Sequence, residues 1–298
     1  MSVDTRAGAE RKLTRAEKRQ VDAKNRLSSP AASLVAIVIA VLWTIPTAGL
    51  LVTSFRESSD VRKSGWWTAF MNPSFTFDNY VSVFGTSNVA DSFLNSFIIT
   101  IPAVIIPIML ALLASYALAW IDFKGRNFLF AFIFALQVVP IQVTLIPLLT
   151  QYVQWGLAGT YWTVWLSHTI FGLPLAIYLL HNFMAEIPRS LIEAARVDGA
   201  GHVRVFFQVL MPLLVPAIAS FAIFQFLWVW NDLLVALTFA GPDYSPITRV
   251  IATLSGSYGN KWYLLSAGAF ISMAVPVVVF LSLQRYFVRG LLAGGVKG

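Results

Sequence analysis

Phe93-Leu-Asn-Ser-Phe-Ile-Ile-Thr-Ile-Pro102-Ala-Val-Ile-Ile-Pro107-Ile-Met-Leu-Ala-Leu-Leu-Ala-Ser-Tyr-Ala-Leu-Ala-Trp120 decides what kind of molecule this is. No charged side chain interrupts the run, and it exceeds the roughly 20 apolar residues that a helix needs to cross a hydrocarbon core. A membrane strand would be about half as long and would alternate apolar with polar residues. Helix is therefore the form that satisfies every backbone group within the segment. Working outward, similar runs stand at 31–53, 127–150, 160–182, 209–238 and 263–284. The expected fold class is an all-α integral membrane protein of about six transmembrane helices.

Composition agrees. Charged residues make up 12% of the 298 and hydrophobic residues 57%. A soluble domain carries about 25% charged residues, so much of this surface has to face lipid. The net charge of +7 raises the question of nucleic acid, but the basic residues follow a membrane pattern instead. With the N-terminus inside, the inner segments hold the basic residues of 1–29, then Lys124, Arg126, Arg189, Arg196, Arg204, Arg285, Arg289 and Lys297. The outer segments hold only Arg56, Arg62, Lys63, Arg249 and Lys261. Inner loops keep Lys and Arg, so both termini are expected in the cytoplasm, in a multi-pass protein of the cytoplasmic membrane.

Residues 1–29 read as a basic cytoplasmic tail, by positive-inside anchoring or some regulatory use. The apolar run behind it is longer than the roughly 7–15 residues of a signal-peptide core, so it reads as an uncleaved first span. Residues 30–92 are that span with an extracytoplasmic loop. Pro46, Pro102, Pro107, Pro140, Pro147, Pro174, Pro212, Pro216 and Pro276 fall within spans. Each removes a backbone donor, and together they suggest kinked helices around a cavity.

Between the fourth and fifth runs lies Glu186-Ile-Pro-Arg-Ser-Leu-Ile-Glu193-Ala-Ala-Arg-Val-Asp198-Gly-Ala-Gly-His-Val-Arg-Val-Phe206-Phe-Gln-Val-Leu-Met-Pro212-Leu-Leu-Val-Pro216. Pro188 suits a first helical turn and Gly199 a left-handed C-cap, so a short helix ends in a tight turn before the chain re-enters the membrane. Ala194 and Ala195 offer a small face, and Glu193 and Asp198 put charge beside it. Local physics alone fits either a lever for a soluble motor or an ordinary capped loop helix.

The whole string, Glu-Ala-Ala, two residues, Asp-Gly-Ala, a later Phe, then Met-Pro and Pro, resembles the coupling motif of ABC importer permeases. The resemblance covers roughly 93–285 as the core domain and implies the type I importer fold. It implies a helix docking into an ATP-hydrolysing subunit through Glu193, Ala194, Ala195, Asp198, Gly199 and Ala200. The C-terminal stretch from Gln284, with 286–298 as a cytoplasmic tail, looks like that of the smaller permease subunit of maltose-type transporters. By that resemblance Gly294, Gly295, Val296 and Lys297 contact the ATPase dimer; the plain alternative is a frayed end. Phe75-Thr-Phe-Asp78-Asn79-Tyr80 looks like the lead-in of carbohydrate permeases. The implied partners are a homologous second permease, two ATPase copies, an extracytoplasmic solute-binding protein and membrane lipid. ATP and Mg would sit on the ATPase, with no cofactor on this chain, and the implied solute is a di- or oligosaccharide such as an α-glucoside.

Phe226-Leu-Trp228-Val-Trp230-Asn231-Asp232 is the candidate solute path. Aromatic rings stack on sugars, and an ionisable group at membrane depth is a functional candidate; an interfacial aromatic belt is the alternative. The same resemblance implies that the outer loop 239–262, with Tyr244, Ser257, Tyr258, Gly259 and Asn260, enters the receptor; a loop resting on headgroups is the alternative.

The remaining chemistry is negative. No glycine-rich phosphate loop followed by Lys-Ser/Thr occurs, so this chain is expected to be no enzyme, with nucleotide hydrolysed elsewhere. His168, His181 and His202 show no metal-binding spacing, and the absence of Cys excludes disulfides and thiolate sites. A stand-alone ion-coupled carrier would need buried acids in the spans, for which Asp232 is the one candidate. An intramembrane enzyme would need a catalytic pair, and Ser167 and His168 are sequence neighbours on different helix faces.

Overall fold

A computed structural model describes residues 30–85, 88–254 and 261–295, with side chains described to 284. The basic tail at 1–29 lies outside the described residues. Eleven helices organise the path: α1 Pro30–Phe55, α2 Asp78–Gly85, α3 Val89–Trp120, α4 Arg126–Leu136, α5 Ile141–Gln154, α6 Tyr161–Ala185, α7 Arg189–Val197, α8 His202–Trp230, α9 Leu234–Phe239, α10 Ile247–Leu254 and α11 Trp262–Gly295. α1, α3, α6, α8 and α11 are each long and apolar enough to cross a bilayer.

The third span expected at 127–150 is a broken crossing made of two helices. α4 and α5 meet at 97° across a short break. Pro140 stands at the break in extended conformation (φ −62°, ψ 132°), where it caps α5. Proline disfavours helical backbone at the residue before it and donates no hydrogen bond, so the helix stops ahead of it. The crossing itself follows from topology. α4 starts beside the C-terminal half of α6, with Phe130 against His181 and Phe134 against Tyr178. α5 finishes beside its N-terminal half, where the Tyr152 hydroxyl meets Ser167 Oγ at 3.1 Å.

α3 and α6 form the spine and run parallel. Hydrophobic attraction is weak between helices already in lipid, so close packing of small residues takes its place. Ala103, Ala111 and Ser115 of α3 are fully buried, as is Ala176 of α6. Ser115 Oγ also donates to Ile177 O across the seam (3.1 Å). α8 runs back antiparallel. Its first turns widen into a π-helix at Val205–Leu210, where Met211 N donates to Phe206 O, five residues back. The wider turn makes room for the Pro212 ring, which an α-turn would press onto the carbonyl four residues earlier.

Two more expectations change. The fifth span ends at Trp230 instead of 238, and Leu234–Phe239 is a separate short helix. The segment after it carries α10, with Ile247, Ile251 and Leu254 buried, so much of the expected outer loop is packed helix. The segment 56–85 is tied down by hydrogen bonds from buried side chains. Arg56, only 3% exposed, donates to Gly65 O (2.9 Å), Ser64 Oγ (2.7 Å) and Ser64 O (3.2 Å). Asn79 Nδ2 donates to Ser54 O (2.9 Å) and Arg56 O (2.8 Å), and the Tyr80 hydroxyl bonds Ser54 Oγ (2.8 Å). The Asp78-Asn79-Tyr80 lead-in thus staples α2 to the end of α1.

Candidate coupling helix and solute cavity

At one pole of the bundle α7 stands outside the spans. Pro188 (φ −59°) precedes its first turn, and Ile192 alone among its residues is buried against the bundle. Its end is a Schellman cap: Gly199 N donates to Arg196 O (3.0 Å) and Ala200 N to Ala195 O (2.9 Å). Gly199 takes φ +79°, a conformation open to glycine and strained for other residues. Glu193, Ala194, Asp198 and Gly199 are exposed together on this helix, with Ala195 and Ala200 half-buried beneath them. Val197 is 87% exposed at the same tip and Val203 72%, so an apolar surface flanks the charged pair.

The turn after α7 is tied to the spine. The Tyr116 hydroxyl of α3 meets His202 Nδ1 at 2.6 Å, and its ring packs edge-on against Phe206. The contact thus joins α3 to the start of α8, immediately after the turn that follows α7. Sequence reasoning misses this link: it makes His202 a lone packed histidine and gives Tyr116 no part. Nothing in the string pairs residues 86 positions apart.

The elbow between α4 and α5 opens a cavity of about 810 Å³, walled by residues 136–144, by Gln151 of α5, by Ile170, Phe171, Gly172, Pro174 and Leu175 of α6 and by Phe224, Gln225 and Trp228 of α8. No acidic or basic residue lines it. Gln225 is 1% exposed; its Nε2 donates to Ala103 O (3.1 Å), while Oε1 has no partner.

The four candidate solute-path residues do not share one surface. Trp228 lines the cavity, half-buried, with its ring edge-on to His168 at 5.3 Å. Trp230 points the other way, 1% exposed among Phe93, Phe97 and Phe226, and donates from Nε1 to Ser272 O (3.1 Å). Asn231 is exposed, with Nδ2 bonded back to Leu227 O (2.7 Å). Asp232 caps α9: Oδ2 accepts from Ala236 N (3.1 Å) and Oδ1 from Val235 N (3.4 Å). His168 Nδ1 donates to Val164 O (2.9 Å), which turns Nε2 toward Asp232 Oδ2 at 3.6 Å.

Capping gives Asp232 a testable structural duty. Asp232→Ala should destabilise the detergent-solubilised protein by about 0.5–2 kcal/mol, whereas Asp232→Asn keeps an accepting oxygen and should stay close to wild type. Thermal unfolding checks this, and equal losses in both variants would remove the capping role.

Of the candidate receptor loop, Tyr244 is half-buried and packs edge-on against Tyr161 at 4.5 Å. Ser257, Tyr258, Gly259 and Asn260 lie outside the described residues. Gly294 and Gly295 continue the backbone of α11, which stays helical beyond the tail boundary expected at 286. Val296 and Lys297 lie outside the described residues. Among the described residues no group of His, Asp and Glu is arranged to hold a metal.

A broken span that opens an uncharged cavity, with a capped helix standing clear of the bundle, is the architecture of a multi-pass membrane protein. The chain belongs to the family of binding-protein-dependent transport system inner membrane components, whose description matches residues 108–292. It is 54% identical over 267 residues to the osmoprotective compounds uptake permease protein GgtD of Synechocystis, covering 88% of this chain and 90% of that one. It is 51% identical over 258 residues to the alpha-glucoside transport system permease protein AglG of Rhizobium meliloti, covering 82% and 68%. In fold it is similar to a chain of a bacterial ABC transporter involved in the import of alginate, with a TM-score of 0.71 at 20% identity, covering 92% and 99%. The chain is an all-α ABC importer permease, a non-catalytic membrane component.

Proposed function

We propose that this permease carries a neutral sugar of the α-glucoside type into the cell, handed over by an extracytoplasmic binding protein and driven by ATP hydrolysis on a separate subunit. The observation that carries the mechanism is the exposed helix α7, capped at Gly199 and linked through His202 to Tyr116. Both termini and α7 are cytoplasmic, as the Lys and Arg distribution supports. Two copies of an ATPase, holding ATP and Mg, dock against this permease and a homologous second one, here through Glu193, Ala194, Ala195, Asp198, Gly199 and Ala200. Closure of the ATPase pair on ATP pushes α7, and α3 and α8 move with it, turning the cavity outward. Hydrolysis returns it inward.

The sugar assignment is supported by the alpha-glucoside for which the Rhizobium relative is named and by a cavity free of charge. The Synechocystis relative, named for uptake of osmoprotective compounds, supports a second reading in which the cargo is another small polar solute. Gentle purification of the tagged chain from native membranes, with mass spectrometry of what accompanies it, tests the assembly. An ATPase, a second permease and a binding protein are expected to come with it. The receptor is then screened for binding of maltose, sucrose and trehalose against non-sugar osmolytes. A chain that arrives alone and transports without ATP after reconstitution refutes the proposal.

A further inference from the structure

Transport of a sugar leaves open whether this chain itself touches the cargo. The cavity at the α4–α5 elbow has the size of an ordinary small-molecule site, about 300–1,000 Å³. Its wall is mostly apolar, with a few neutral polar groups (Gln137, Gln142, Thr144 and Gln151 on the elbow side, Gln225 opposite) and three aromatic side chains, Phe171, Phe224 and Trp228. Such a lining suits an uncharged polyhydroxylated ligand and offers an ion no counter-charge.

Gln225 is the telling residue. The two groups before its Nε2 are both carbonyls, Ala103 O at 3.1 Å and His168 O at 3.5 Å, so that end of the amide has to be the nitrogen. The oxygen is thereby left buried with no donor, a state that native structures rarely keep without a reason. Gly172 makes the room for it: a Cβ there would lie 2.8 Å from both amide heteroatoms. One turn of α8 further on, Trp228 borders the same space.

We propose that this cavity is a transient sugar-binding subsite of the permease chain itself, in which the Gln225 amide, sealed in the cavity wall, turns so that Oε1 accepts a hydrogen bond from a sugar hydroxyl, and Trp228 stacks on the apolar face of the ring. The inference rests on the reading of the chain as a sugar permease. A helix of the partner permease filling the groove is the rival occupant.

The test uses the complete importer in proteoliposomes with its receptor, ATP and whichever of radiolabelled maltose, sucrose or trehalose the wild type imports. Gln225→Met keeps the side-chain length and removes the acceptor. Uptake at subsaturating sugar should fall about threefold to tenfold, the size of one lost hydrogen bond. With monodeoxy analogues of the same sugar, the loss should vanish for the analogue that lacks the bonded hydroxyl. An equal loss for the parent sugar and every analogue is the mark of a merely structural glutamine and overturns the proposal. As the chain has no cysteine, Gln151→Cys supplies one thiol of its own in the cavity wall. Sugar should slow its alkylation during turnover. Alkylation unchanged by sugar, or blocked with and without it as by a partner helix, overturns the subsite while sugar import stands. Failure of the wild-type complex to import any of the sugars overturns the transport reading and the subsite together.

Discussion

Replacing Trp230 with alanine is expected to remove most of the folded protein from the membrane, whereas the same change at Trp228 is expected to leave it folded. Trp230 joins three spans: its ring lies 4.8 Å from Phe97 and 5.8 Å from Phe93 of α3 and stacks on Phe226 of α8 at 5.6 Å. Its indole N–H reaches Ser272 O of α11. Truncation would leave a hole among these rings and strand a buried carbonyl. Losses of this kind run about 3–5 kcal/mol, a large part of the 5–15 kcal/mol that typically holds a protein folded. Trp228 borders a cavity that is already open and has less packing to lose. Fluorescence-detected size-exclusion of the tagged, solubilised chain, followed by thermal unfolding, measures both. A Trp230→Ala protein with wild-type yield and midpoint would mean that the aromatic cluster is not what holds α3, α8 and α11 together.

Gly199→Val should abolish ATP-driven uptake while the protein still inserts and folds. Space is not the obstacle, since nothing lies within 4 Å of the position a Cβ would take. The obstacle is the backbone: at φ +79° an L-residue is strained by roughly 1–2 kcal/mol, and a β-branched one tolerates this region worst. α7 is nine residues long and too short to hold itself together, so losing its cap unwinds the tip that carries Glu193 to Ala200. Gly199→Asn is the control, as asparagine enters the left-handed region with much less strain. It should restore most of the uptake. If valine and asparagine both transport normally, the shape of this turn is irrelevant to coupling. If both fail alike, the requirement is for the absence of a side chain, as in a tight dock, and not for the turn.

Part of the site is legible in the amino-acid string. Gly199 announces a C-cap, and Pro188 the start of the helix it closes, because both residues act through their own backbone. Trp228 and Trp230 read in sequence as one surface, although residues two apart on an α-helix lie about 200° apart around the axis. Helical geometry alone divides them; which of the two faces the cavity it does not say. The break at Pro140 is also present in the string, but a window of hydropathy runs through a bend as easily as through a straight helix. Asp232 stands out as an acid at membrane depth, and its caps on Val235 and Ala236 depend on where α8 stops, two residues before it.

The division follows from the range of the forces. The sequence by itself determined the all-helical membrane class, the apolar runs that supply its candidate spans, the bias of Lys and Arg to one side and the helix capped at Gly199. Each is a sum over neighbouring residues, or a property of one backbone position. The tertiary structure alone decided that Trp230 is core, that Tyr116 meets His202, and that Gln225, in the wall of a cavity beside Trp228, keeps a buried oxygen without a partner. In lipid every face of an apolar helix is acceptable to its surroundings. Which face is buried is settled by close packing between segments far apart in the chain, and composition does not encode that contact.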